Sequence, residues 1–311
     1  MPLGAVRARR DTGQVVTELT PEGRRRRLPL VPLRYATVVA GLALAVLAYG
    51  YALNQNWATQ TWPWPDTDLS HLFVGSIAAA VAAIAIWIGA TGEWGALRSA
   101  AIDVIVISGG LSVYFFVRLA EGKGLLGYAL FFTAAALAGV AGWYWSRRVP
   151  IRDTRRMPVG LRAWFVLFAA ITAATGTALL LRIQVFPWAL DPRTAVMFGC
   201  VFLGAAAYFL YGLADPSWHN AKAQLVGFLA YDVVLFPRYV SLMSSTTGPY
   251  GYPASVNSVH LDSYLAVLSL SSLVSIYYLF VSPRTRNWSV QERPDGAVPV
   301  LTEGQGAFDT V

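Results

Sequence analysis

Asp232 is the residue whose placement points most directly to chemistry. It lies in the apolar stretch from Leu225 to Phe236. A carboxylate near the middle of a bilayer costs at least ~2.5–3.5 kcal/mol, so it needs a partner or a cavity. Arg238 follows six residues on, beyond Pro237, which is expected to kink a helix. Two uses follow. Asp232 and Arg238 form a buried ion pair or proton-accepting site on a polar cavity, or Asp232 is a hydrogen-bonded acid that holds helices together. Asp103 is a second acid in an apolar run. It reads either as a further intramembrane polar group or as a snorkelling or capping acid beside Arg98.

A second set of groups brackets the runs. Asp66, Asp68 and His71 precede one of them, and His260 and Asp262 open another. Two imidazoles and three carboxylates would suit a metal such as zinc if the loops converge. The same spacing suits helix capping, with Asp66, Asp68 and Ser70 at the start of one helix and Asp191 at the start of another. No cofactor is expected. The chain has no phosphate-binding Gly-rich loop, no HExxH, no GxSxG, no CxxCH and no DxxxD pair, and its three histidines lie near the ends of apolar runs.

These residues are carried by a chain of 311 residues with only 13% charged and 56% hydrophobic side chains. A soluble domain carries about 25% charged residues, so the composition excludes an ordinary soluble enzyme and points to lipid as the solvent. Eight apolar segments near the length of a membrane span are expected, at about 33–54, 69–90, 99–119, 125–146, 160–182, 194–214, 220–240 and 261–282. They are continuously apolar, without the alternation of a membrane barrel. Residues 1–30 and 284–311 read as disordered polar tails.

Of the 24 Lys and Arg, only Arg118, Lys123, Arg182, Arg193 and Arg238 fall outside if both termini are cytoplasmic. That orientation is therefore expected, in a bacterial inner membrane, the Arg-rich and Ala-rich usage suggesting a GC-rich genome. The basic residues flank spans, which favours contact with membrane lipids and not with nucleic acid. Trp57, Trp62, Trp64 and Trp188 outside, and Trp94, Trp143, Trp145 and Trp218 inside, read as aromatic belts. Glu93, Asp215 and His219 read as surface or interfacial groups. Small residues such as Gly41 with Ala45, Ala135 with Gly139, and Ala169 with Ala173 are expected to pack spans together.

Sliding the chain by 124 residues aligns Gln60 with Gln184, Pro63-Trp64 with Pro187-Trp188, Gly75 with Gly199 and Trp94 with Trp218, without a gap. This predicts an all-α integral membrane protein of two parallel four-helix repeats, residues 31–150 and 151–283, related by an axis along the membrane normal. Asp232 falls opposite Ser108, so a site built on it is asymmetric. The string Trp62-Pro63-Trp64-Pro65, then Asp66, Thr67, Asp68, Leu69 and a Gly- and Ala-rich span ending at Trp94, resembles a pattern in uncharacterised bacterial multi-pass membrane proteins. The resemblance implies the architecture and no activity.

The function expected from the sequence is binding or passage of a small or lipid-like molecule between the repeats, with Asp232 as the polar anchor. The alternatives are a membrane enzyme acting on a lipid or isoprenoid through the outer Asp/His set, and a non-catalytic accessory subunit.

Overall fold

The computed structural model describes residues 30–149, 151–243 and 256–286; the expected tails lie almost wholly outside them, as does most of the long loop before the last span. Among the described residues all regular structure is helical. The helices are α1 (Leu30–Ala52), α2 (Asn56–Thr59), α3 (Asp68–Thr91), α4 (Leu97–Ala120), α5 (Leu126–Ser146), α6 (Val159–Leu180), α7 (Pro192–Ala214), α8 (Trp218–Met243) and α9 (Ser258–Ile276). A 3₁₀ turn, Trp94–Ala96, leads into α4, and a π turn, Tyr277–Val281, extends α9. Eight of these segments are long and apolar enough to cross a membrane. The chain is a multi-pass membrane protein, and large apolar side chains such as Val46, Phe131, Val233 and Leu273 stand exposed on its outer helix faces where lipid tails would cover them.

The eight spans fall within a few residues of the apolar runs. Chemistry at their ends sets the limits. Thr67 caps α3 by accepting the Ser70 N–H at 3.2 Å. Asp191 caps α7 by accepting the Arg193 N–H at 2.8 Å, with Pro192 at the first helical position. Asn257 caps α9 by accepting the His260 N–H at 3.1 Å. At its other end α3 stops at Gly92, whose φ of 71° is left-handed. Arg34 lies near the start of α1. It donates to the carbonyls of Gly89, at 3.0 Å, and of Ala90, while Arg152 donates to Thr91 O at 2.6 Å. Two arginines thus satisfy the last carbonyls of α3, where cations are favoured.

α3, α4, α7 and α8 make the centre. α3 packs on α8 and α4 on α7, while α1 flanks α3, α5 flanks α4, α6 flanks α7 and α9 flanks α8. Small residues set these approaches. A Cβ at Gly75 would stand 2.8 Å from Ala52 N, one at Gly199 3.1 Å from Gly176 O, and one at Gly41 2.7 Å from Ile86 Cγ1.

The two ends of the bundle differ. At the Pro-Trp end, Trp64 Nε1 donates to Thr194 Oγ1 at 2.9 Å and Trp188 Nε1 donates to Ser70 Oγ at 3.1 Å. Antiparallel bridge pairing of Trp188 with Val256, and the Asn257 N–H donated to Pro187 O at 2.6 Å, fasten the start of α9 there. At the arginine-rich end, Trp94 and Trp218 are 4% and 0% exposed. Trp64, Trp188, Trp94 and Trp218 are therefore core residues and not belt residues. Trp57, 51% exposed, keeps an interfacial position.

Candidate functional site

A cavity of about 270 Å³ lies within the bundle, walled by α3, α4, α6, α7, α8, α9 and residues 185–186. Its surface is mostly apolar, with Phe73, Phe168, Phe202 and Phe228 among its walls. Both intramembrane acids predicted from the sequence, Asp103 and Asp232, line it.

Asp232 comes from α8 and is 1% exposed. Its Oδ2 accepts hydrogen bonds from Ser271 Oγ and, at 2.9 Å, from Ser272 Oγ, both on α9. Two adjacent serines reach one carboxylate because α9 runs alongside α8 there. Its Oδ1 is buried with no hydrogen-bond partner among the described residues. The expected pairing with Arg238 is not formed. Arg238 is exposed, and its carbonyl accepts the Ser241 hydroxyl at 2.7 Å. The two sit six residues apart, which turns their side chains to different faces of α8. The cavity is accordingly apolar, not the polar one expected, and the acid is braced by hydroxyls.

Asp103 comes from α4 at its crossing with α7. It is not a capping acid beside Arg98, which instead donates to Ser146 O at 3.3 Å. The crossing tolerates the carboxyl because residue 204 is glycine: a Cβ there would stand 2.6 Å from Asp103 Oδ1 and 2.3 Å from Ile107 Cγ1. Asp103 Oδ1 also lacks a hydrogen-bond partner among the described residues. Gly227 gives the matching close approach of α8 to α3, where a Cβ would stand 2.7 Å from Ile84 Cδ1. Near the Pro-Trp side the hydroxyls of Tyr231 and Tyr264 share a hydrogen bond. The tyrosines pack on the cavity aromatics, Tyr231 edge-on to Phe73 and Tyr264 against Phe186. The serines of the eighth span were visible in the sequence as its polar face. Gly204, Gly227 and the tyrosine pair were not, since their roles depend on which helix lies opposite.

The metal centre considered from Asp66, Asp68, His71, His260 and Asp262 is not assembled: among the described residues no three such groups gather to hold an ion. Each has other work. Asn54 bridges His71 Nδ1 at 2.8 Å and Asp68 Oδ1 at 2.7 Å. Asp66 accepts from Thr194 Oγ1 and from the Thr67 N–H at 2.8 Å. His260 Nδ1 bonds the Phe186 carbonyl at 3.1 Å, and His260 borders the cavity instead. Asp262 is exposed on α9. The capping account holds for Asp191, while on α3 Thr67, between the two acids, makes the cap.

A polar cluster at the arginine-rich end was missed. Glu93 is 2% exposed and accepts the Asp153 N–H at 2.8 Å. His219, 1% exposed, bonds Asp153 O through Nδ1 and the Ser217 hydroxyl through Nε2, both at 3.2 Å. Asn220 accepts from Ser99 Oγ at 3.1 Å. Asp153 takes both ends of the Arg155 guanidinium, at 2.9 and 2.6 Å. Burial pushes the Asp153 carboxyl up, but the Arg155 hydrogen bonds and charge outweigh it and hold the group below the ordinary aspartate range. These groups tie the connection between α5 and α6 to the ends of α3 and α8, and all of the ones named are partnered.

Comparison of the chain with protein-family models, with curated proteins and with solved structures finds no match. Fold and site together define a multi-pass helical membrane protein with an apolar, acid-bearing cavity among its central helices.

Proposed function

We propose that the protein binds or passes a small or lipid-like molecule in this cavity, with Asp232 as its polar anchor. The observation that carries the reading is the pairing of an apolar cavity with a carboxylate oxygen that has no hydrogen-bond partner among the described residues. An unpaired buried polar group is costly, and such groups concentrate where a ligand or proton completes them. The size narrows the occupant. A cavity of about 150 Å³ takes one benzene, so about 270 Å³ takes a two-ring molecule or a short length of one lipid chain, not a whole lipid.

The reading includes two parallel four-helix repeats, residues 31–150 and 151–283, in a bacterial cytoplasmic membrane with both termini cytoplasmic. Residue pairs 124 apart support the repeats. Trp64 and Trp188 are such a pair, and so are the hydroxyls they bond, Ser70 and Thr194, each bond crossing between the halves. Thr67 and Asp191, which cap α3 and α7, are another. The packing of α3 on α8 and of α7 on α4 is likewise reciprocal. The arginine-rich connection between α5 and α6 supports the orientation.

The test is calorimetry on the full chain in phosphatidylcholine nanodiscs, with ethylnaphthalene as probe and empty nanodiscs as blank. Wild type takes up the probe saturably. Ala205→Phe, which puts a ring into the cavity from α7, weakens uptake at least about tenfold. No saturable uptake by the wild type of ethylnaphthalene or of charged analogues of the same shape, or equal uptake by the variant, would end the reading.

A further inference from the structure

We propose that the cavity selects an organic cation: a protonated amine on a compact apolar body, with the ammonium paired to Asp232 Oδ1. This rests on the cavity being a binding site and names the chemical class it takes.

The charge inventory of the walls carries the inference. Asp103 and Asp232 line the cavity, and among the described residues no Lys or Arg does. The histidine of the wall, His260, already engages the Phe186 carbonyl through Nδ1. An anionic occupant, a fatty acid or a phosphorylated headgroup, would meet two carboxylates and no cation in a low-dielectric space, where like charges repel strongly. A neutral occupant without a hydrogen-bond donor leaves Asp232 Oδ1 without a partner. A cation removes that deficit, because a charge-assisted bond to an ammonium is the strongest contact a buried carboxylate can gain.

Preorganisation points the same way. Ser271 and Ser272 both donate to Oδ2, which fixes the carboxylate plane and leaves Oδ1, buried and without a hydrogen-bond partner among the described residues, beside the cavity that Asp232 lines. The aromatic residues contribute as well, since Phe73, Phe168, Phe202 and Phe228 line the same space and a cation is attracted to ring faces. Asp103 adds a second carboxyl to the cavity wall, accommodated at the α4–α7 crossing by the absence of a side chain at Gly204. This makes the whole cavity cation-seeking and not only one corner of it.

The experiment uses three compounds of similar shape, naphthylmethylamine (cationic), ethylnaphthalene (neutral) and naphthylacetate (anionic), against the full chain in phosphatidylcholine nanodiscs at neutral pH. Wild type is expected to bind the amine at least about tenfold more tightly than the neutral compound and to reject the anion. Asp232→Asn keeps an oxygen for the two serine donors, so the variant is expected to fold and to lose the preference for the amine over ethylnaphthalene. Asp103→Asn is expected to reduce that preference to a smaller degree. Equal binding of amine and neutral compound by wild type, or an amine preference that survives Asp232→Asn, overturns the cation inference and leaves the binding site standing. Failure of all three compounds to bind, or binding that Ala205→Phe does not diminish, overturns the binding site itself.

Discussion

Among single residues, the acids divide by what their neighbours give them. Asp232 and Asp103 were legible in the sequence because a carboxylate inside an apolar run is costly and so conspicuous. Glu93, Asp153 and His219 were not, because at the end of a span the same residue types normally face water. What buries them is the α5–α6 connection folding back over α3 and α8, which no local pattern announces. Asp153 yields a pH prediction. Its carboxyl is held below the ordinary aspartate value by Arg155, so its ionised form favours the folded state. That contribution is fully present above the unfolded value near 4 and is lost as pH falls through the depressed folded value. Hydrogen bonds to charged groups contribute about 1.5–3 kcal/mol. Asp153→Asn should therefore lower the melting temperature at neutral pH, and the gap to wild type should narrow progressively as the pH is taken below about 4. Fluorescence-monitored melting in detergent reads this directly, and a gap that stays constant with pH would remove the ion pair from the account.

At the level of elements, the spans were legible from apolar length alone, and their limits were off only where tertiary contacts decide. The first helix begins at Leu30, ahead of the expected 33, and its Arg34 caps the end of α3. The π turn at Tyr277–Val281 gave no signal of its own. Helix approach is a finer matter, and glycines report it unevenly. A Cβ at Gly75 would stand 2.8 Å from Ala52 N and 2.9 Å from Ala48 O, both backbone atoms of α1 that cannot yield without moving the helix. Gly109 on α4 has nothing within 4 Å of such a Cβ. Gly75→Ala is expected to destabilise by about 1–3 kcal/mol through overpacking. Gly109→Ala is expected to be neutral or to stabilise by up to about 1 kcal/mol through helix propensity. Melting temperatures of the two variants side by side check this, and equal shifts would show that α1 and α3 do not meet as described.

For the molecule as a whole, the question is whether two halves make it. The shift of 124 residues was legible from Pro-Trp pairs and spaced glycines, but the bonds that join the halves were not. Trp64 and Trp188 read as belt residues until each is seen to donate to a hydroxyl across the centre, Thr194 and Ser70. The asymmetry was legible from Asp232 falling opposite Ser108, but the bonds that two serines of α9 make to the acid were not. Four spans per half is an even number, so each half would insert with its two ends on one side and would need no help from the other to find its orientation. The contacts between halves, α3 with α8 and α4 with α7, then assemble already inserted units, as helices associate within a bilayer. Residues 1–150 and 151–311, expressed together as separate chains with a tag on one, are therefore expected to co-purify. The complex should bind naphthylmethylamine within about tenfold of the intact chain, the loss reflecting the linkage given up. Ser70→Ala with Thr194→Val removes both indole acceptors and is expected to weaken co-purification more than either change alone. Halves that insert but never associate would make the connection between α5 and α6, and not the reciprocal packing, the element that holds the protein together.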